Sequence, residues 1–460
     1  MVRKWLAAGA LAVCVALAGG GCVSKTATVQ TAKAQLAAGG AVDSKLFESD
    51  ARAGDKDAVW AFMERGRLRQ LTGDWEGSCA DYEAAARECE ALDARAVASL
   101  SGAASQGAAL LTNDQVIPYE GETYERVMLY TLDAFNRAAL GRPEEIGVDV
   151  RNAADLLEAA LDAHGKKGDE FREGNAETRT QTEKTMDSDE FKAMTAAADS
   201  VAGSVANSFQ SAYTYALAGT WYEARDMWGD AAIAFGRAYK LQPQNKAFAE
   251  GMRHAAARSG KTVKGFVPPK PGEGWVTVFL EQGYNVQKQP FTLPLLLPHN
   301  YVQASIPFYD CSYDPEPVIP GSVWWKGRKV AETQEACDYR VLAVKALQER
   351  LPGILARQIA RSIAKGVINE QVRKRDPTGL AGLAVVVGNA LTEQADLRSW
   401  QLMPRHGQVA RFRLPEGEYA LEVEFAGGRT TVQATVRAGR PTVLHVSCVP
   451  GVLRVEATAL

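Results

Sequence analysis

From Asp57 to Ser259 apolar residues recur at helical spacing, alanine is abundant and proline is rare, which predicts a run of helices. The pattern breaks at "FVPPKPGEGW", residues 266–275, where three prolines and two glycines deny further helix. Beyond it the period changes to two. "WVTVFLEQG", "FTLPLLLP" and "YVQASIPFY" read as strands with prolines at their ends or edges. The chain ends in alternating stretches of five to eight residues separated by "PEG", "GG", "AGRP" and "PG", the spacing of an antiparallel β-sandwich.

Two helical patterns interrupt the β half. In 339–375, Val344, Leu347, Leu351, Leu355 and Ile359 are part of an apolar stripe, with Arg350, Arg357, Arg361 and Lys365 largely off it and read as solvated. Gly379 to Leu391 runs 13 residues without a charge, too short to span a membrane and read as core. The fold class expected is α+β. A helical repeat domain covers 51–260, a Pro/Gly linker 261–274, and a β-sandwich-like domain 275–460 with a helical insertion at about 339–394.

The helical half carries weak self-similarity. One copy holds Phe62, Gly66, Gly73, Trp75, Ser78, Tyr82 and Ala85; another holds Tyr215, Gly219, Tyr222, Trp228, Ala231, Phe235, Ala238 and Pro243. A poorer copy has Ala134, Gly141, Val150 and Ala153. Small residues that let two helices meet, a turn, then a small–aromatic–small pattern on the second helix follow the tetratricopeptide (TPR) repeat. Such arrays bind partners along a groove lined by their first helices. Arg65, Arg69, Tyr130, Arg137, Tyr215 and Tyr222 are the candidate groove residues. The charged stretch 165–191 lacks an apolar stripe and reads as a solvated loop or frayed helix.

The N-terminus changes the setting. A basic start (Arg3, Lys4), an uncharged apolar run from Trp5 to Ala18, small residues and Cys22 form an export signal. "LAGGGCVSK" resembles a bacterial lipobox with Cys22 as the lipidated residue, although Gly19 stands where a leucine is usual. Cleavage after Ala16-Leu17-Ala18 is the rival. The lipid reading makes 1–21 a signal peptide, 22–50 a tether and the membrane the anchor. Val23 after the cysteine points to the outer membrane, facing the periplasm.

Composition narrows the function. Across 460 residues the net charge is −3, which argues against a nucleic-acid surface. In an oxidising compartment Cys311 with Cys337 is the preferred disulfide, with Cys448 as competitor and buried free thiols as the other reading. Cys79 and Cys89 lie ~15 Å apart along one helix, too far to bond. The five histidines are scattered and no metal or cofactor site is read. "AAARSGKT" (255–262) lacks the strand and following helix of a P-loop, and "SIAK" (362–365) lacks the companion motifs of penicillin-recognising enzymes. No catalytic residue is assigned. Asp396, Arg398 and Trp400 cluster where helix gives way to strand; a buried bidentate Asp–Arg contact stacked on tryptophan would pin that junction.

Two blocks carry a family resemblance. In 119–153, Tyr119, Gly121, Tyr124, Glu125, Arg126, Leu140 and Arg151 fit; in 394–419, Ala395, Asp396, Arg398, Ser399, Trp400, Pro404 and Gly417 fit. The chain resembles a family of bacterial lipoproteins with a TPR-like N-terminal half and a C-terminal β-domain. That family has no established activity. Its frequent encoding beside lipoproteins similar to activators of penicillin-binding proteins implies a role in envelope or peptidoglycan assembly. Tyr124-Glu125-Arg126, at a helix start, reads as a structural contact. The expectation is a non-enzymatic, membrane-tethered scaffold for envelope proteins. The alternatives are a periplasmic glycan-binding or glycan-acting protein with unidentified carboxylates, or helices 339–391 engaging the outer membrane.

Overall fold

The computed structural model describes residues 20–39, 42–43, 45–100, 117–164, 176–297, 300–313, 316–375 and 394–460. Its first half holds α1 (Gly20–Ala37), α2 (Ala58–Thr72), α3 (Trp75–Leu100), α4 (Thr123–Ala139), α5 (Ile146–His164), α6 (Ala176–Met186) and α7 (Asp189–Ala202). α8 (Ala212–Ala224), α9 (Trp228–Leu241) and α10 (Lys246–Arg258) follow. α2 packs on α3, α4 on α5, and α8 on α9, which also packs on α10. Glycine permits the closest approaches. A Cβ at Gly66 would lie 2.6 Å from the Tyr82 ring, and one at Gly219 would lie 2.7 Å from the Phe235 ring. α9 stops at Leu241, just before Pro243, which cannot donate to a helical ladder.

The second half holds β1 (Glu273–Gln282), β2 (Gln289–Leu297), β3 (Asn300–Phe308), β4 (Ser322–Trp325), β5 (Arg328–Glu332) and β6 (Gln334–Asp338). α11 (Tyr339–Arg375) follows, then β7 (His406–Pro415), β8 (Gly417–Phe425), β9 (Gly428–Val436), β10 (Pro441–Val449) and β11 (Val452–Ala459). A five-stranded sheet has the order β11-β10-β1-β7-β6, a four-stranded sheet the order β5-β4-β8-β9, and β2 pairs with β3. All pairings are antiparallel except β1 with β10, which run parallel. The long excursion between those two strands supplies the crossover that a parallel pair requires.

The five-stranded sheet is the middle layer. Side chains alternate across a strand, so Val276, Val278 and Leu280 of β1 share a core with Leu421, Val423 and Ala434 of the four-stranded sheet. Phe279 of β1, Val409 of β7 and Val443 of β10 instead join the helical core that includes Tyr82, Phe135 and Tyr213. One hydrophobic core cluster therefore contains residues of both the helical and the β half.

Three expectations change. The segment 22–50, expected as a tether, contains most of α1, whose Val29, Ala32 and Leu36 are buried. Their spacing of three and four makes a narrow apolar stripe in a polar segment. The charged stretch 165–191 is helical from residue 176, and α6 buries Thr178, Thr182 and Thr185. α6 and α7 both pack on α11. Within α11, Arg361 is buried rather than solvated. The leader (1–19) and the apolar pattern 379–391 lie outside the described residues. Among those described, no helix is long and apolar enough to cross a membrane.

Candidate functional site

The arginines expected to face a partner are held within the chain. Arg65 donates to Asp81 through Nε at 2.9 Å and Nη2 at 2.6 Å, and Arg69 reaches the same carboxylate at 2.9 Å. Arg137 contacts Asp149 at 2.7 Å, Asp133 at 2.9 Å and Glu145 at 2.5 Å. A guanidinium fork within reach of a buried carboxylate is oriented by it, so these three side chains lock helix pairs together. The lock repeats. Arg69–Asp81 ties α2 to α3, and Arg137–Asp149 ties α4 to α5, with the same spacing of twelve residues.

Tyr130 and Tyr215 do come together. They flank a slot between α4, α5 and α8, whose walls include Ala134, Ala153, Leu157 and Ala218. Tyr215 is buried and the Arg237 guanidinium lies 5.7 Å from its ring centre, while Tyr130 is half-buried. Burial, then the neighbouring Glu90, pushes the Tyr130 hydroxyl up to about 12, so it remains a donor at physiological pH. Tyr222 is absent from the slot and packs edge-on against Trp221.

The junction is pinned as a bidentate contact, with a different aromatic. Arg398 donates to Asp396 at 2.9 and 2.7 Å, to Asp57 at 2.9 Å, and to the Ile117 carbonyl at 2.8 Å. Its guanidinium lies over the Tyr119 ring, not Trp400. Trp400 is buried edge-on against Tyr82.

Two carboxylates that the sequence did not single out as site residues for this segment hold the chain after Arg398. Glu64 of α2 accepts the backbone N–H groups of Gln401 at 2.7 Å and Leu402 at 2.9 Å. Glu125 of α4 accepts the Trp400 N–H at 2.8 Å and the Tyr119 hydroxyl at 2.5 Å. Burial pushes the Glu64 carboxyl up to about 8 against the pull of the two backbone donors, and burial also raises Glu125. The signal available for Glu64 was a charged residue directly after Phe62 and Met63. Tyr124-Glu125-Arg126 makes structural contacts: Arg126 forms a fork with Asp93, and Glu125 completes a capping box with Glu122.

Helices and sheet are further joined by two enclosed ionic groups. Arg67 of α2 pairs with Glu281 of β1 at 2.7 Å, and His445 and Ser447 of β10 approach the same carboxylate at 2.7 and 3.1 Å. Glu223 of α8 pairs with Arg411 of β7 at 2.7 Å and with His254 of α10 at 2.9 Å. Burial favours the neutral acid at Glu281, yet Arg67 and His445 overcome it and hold that carboxyl at about 2.

Elsewhere, β6 and β7 bring the partly exposed Glu335 and Asp338 against the buried His406, a grouping hidden in sequence by some seventy intervening residues. The expected Cys311–Cys337 disulfide is absent, and Cys79, Cys89, Cys311, Cys337 and Cys448 are free. Cys337 is buried beside Ser211 and Tyr339, whereas Cys311 sits half-buried beside Arg340. The chain matches no protein family, no curated protein and no solved structure with which it was compared.

Proposed function

We propose that the chain is a membrane-tethered scaffold of the bacterial cell envelope that holds a partner protein against the α4, α5 and α8 face at Tyr130. The observation that carries this reading is the pairing of Tyr130 and Tyr215 over walls of Ala134, Ala153 and Ala218. The slot encloses only about 20 Å³, room for about one water, so the partner contacts the half-buried Tyr130 at its mouth, where a tyrosine offers large contact area with a polar tip. The helix pairs fit a TPR-like array. Gly66, Ala134 and Gly219 occupy one position in three copies, with Tyr82, Val150 and Phe235 each sixteen residues later. The two facing sheets fit a β-sandwich-like support, which shares its inner face with the array.

Three of the acids with displaced proton affinities have structural partners, which fits a scaffold. Glu64, Glu125 and Glu281 are fully buried, and each is engaged by backbone or side-chain partners from a second element. The lipobox-like stretch around Cys22 supports a lipid anchor, and Val23 supports the outer membrane as its site. The resemblance to bacterial lipoproteins encoded near penicillin-binding-protein activators supports a partner in envelope or peptidoglycan assembly. In-cell crosslinking of the tagged protein with mass spectrometry of the captured species tests this. Envelope assembly proteins are the expected capture; only peptidoglycan fragments would move the reading to glycan binding.

A further inference from the structure

An irregularity in one strand assembles a set of metal-binding donors. In the β6–β7 pair, Asp338 lies opposite His406, Cys337 opposite Gly407 and Glu335 opposite Gln408, with the register shifting between Glu335 and Cys337. In a regular strand, residues three apart point to opposite faces. The extra residue at Ala336 lets Glu335 and Asp338 share the face of His406, the re-aiming that bulges perform beside functional sites. One ligand atom from each of the three lies within 4.8 Å of the others.

Both ring nitrogens of His406 face oxygen acceptors. His406 Nε2 lies 2.9 Å from the Glu316 carbonyl oxygen, which only accepts, so Nε2 carries a proton. The other ring nitrogen, Nδ1, faces Glu335 Oε1 at 3.0 Å. A ring N–H donating to a backbone carbonyl is the outer-shell arrangement of metal-bound histidines, and an ion entering between Nδ1 and Glu335 displaces the proton that joins them in the metal-free protein. Asp338 is oriented in turn by the Arg340 backbone N–H at 2.9 Å and by Arg405 Nε at 3.4 Å. The His406 side chain is only 3% exposed, but those of Glu335 and Asp338 are 39% and 19% exposed, leaving a path from solvent.

We propose that Glu335, Asp338 and His406 bind one divalent transition-metal ion of the zinc type, with water completing the coordination. One imidazole and two carboxylates suit this class of ion. Asp338 immediately precedes α11, so the ion ties the start of that helix to the five-stranded sheet. The site uses none of the elements that form the slot and stands or falls independently of the scaffold reading.

The test is titration of chelator-treated full-length protein with Zn²⁺ by calorimetry, followed by Co²⁺ substitution. The expected result is one Zn²⁺ per chain and a higher unfolding temperature. Glu335→Gln and Asp338→Asn should each weaken binding at least about tenfold and lose the Zn²⁺-induced rise in unfolding temperature measured against each variant's own metal-free form. Co²⁺ should show ligand-field bands without a thiolate charge-transfer band. Binding that does not saturate at one ion, survives both substitutions or shows the thiolate band overturns the proposal.

Discussion

The Arg67 guanidinium lies 2.7 Å from the Glu281 carboxylate, and neither side chain is exposed. One belongs to the helical layer and the other to the central sheet, so this pair joins the two halves of the molecule. Removing one member of a buried pair leaves the other charge uncompensated, a cost of about 3–5 kcal/mol. Arg67→Met should lower stability by that amount in urea unfolding. Arg67→Met with Glu281→Leu should cost less than the sum of the two single substitutions, because no buried charge then remains.

The same carboxylate sets an acid limb. Its folded pKa, about 2, lies below the usual glutamate value, so its stabilisation is present above the unfolded pKa and is lost as pH falls through the folded one. The displacement from 4.5 corresponds to about 3 kcal/mol. Glu64 has the opposite sign. Its folded pKa, about 8, exceeds the unfolded value, so its contribution is full below about pH 4.5 and is lost as pH rises to 8. Thermal unfolding against pH should show both slopes. Glu281→Gln should flatten the first and Glu64→Gln the second.

Gly219 permits the contact of α8 with Phe235, and a methyl group there would overlap the ring. Overpacking of this kind costs about 1–3 kcal/mol. Gly219→Ala should be destabilised by that amount, and Phe235→Leu introduced with it should recover part of the loss. Equal stability of Gly219→Ala and the parent would contradict the close approach.

Cys22 carries the membrane prediction. Cys22→Ala should move the protein from the membrane pellet to the soluble periplasmic fraction on cell fractionation. Retention in the pellet would show that lipid is not the anchor.

Parts of this organisation were legible in the chain because their periodicity is strong. The stripe through 339–375 marked a helix whose observed bounds are Tyr339 and Arg375. The Pro/Gly segment marked the change from helix to strand, and β1 begins at Glu273. α1 was hidden because Val29, Ala32 and Leu36 are diluted among alanine, threonine, lysine and glutamine. Arg69 and Arg137 were placed on the correct helices, but the aspartates that hold them, twelve residues on, turned apparent groove cations into internal locks. The parallel β1–β10 pairing and the Glu335–Asp338–His406 grouping depend on contacts between distant strands. Local pattern carries no signal for either.

The slot is tested most directly by a photoreactive phenylalanine analogue at position 130, crosslinked in cells beside a control probe at the exposed position 97. A discrete protein adduct from position 130, missing from position 97 and lost in Ala154→Arg, which places a long cation on the slot wall, is the expected result. Identical adducts at both positions, or adducts unaffected by Ala154→Arg, would contradict a partner seated at Tyr130.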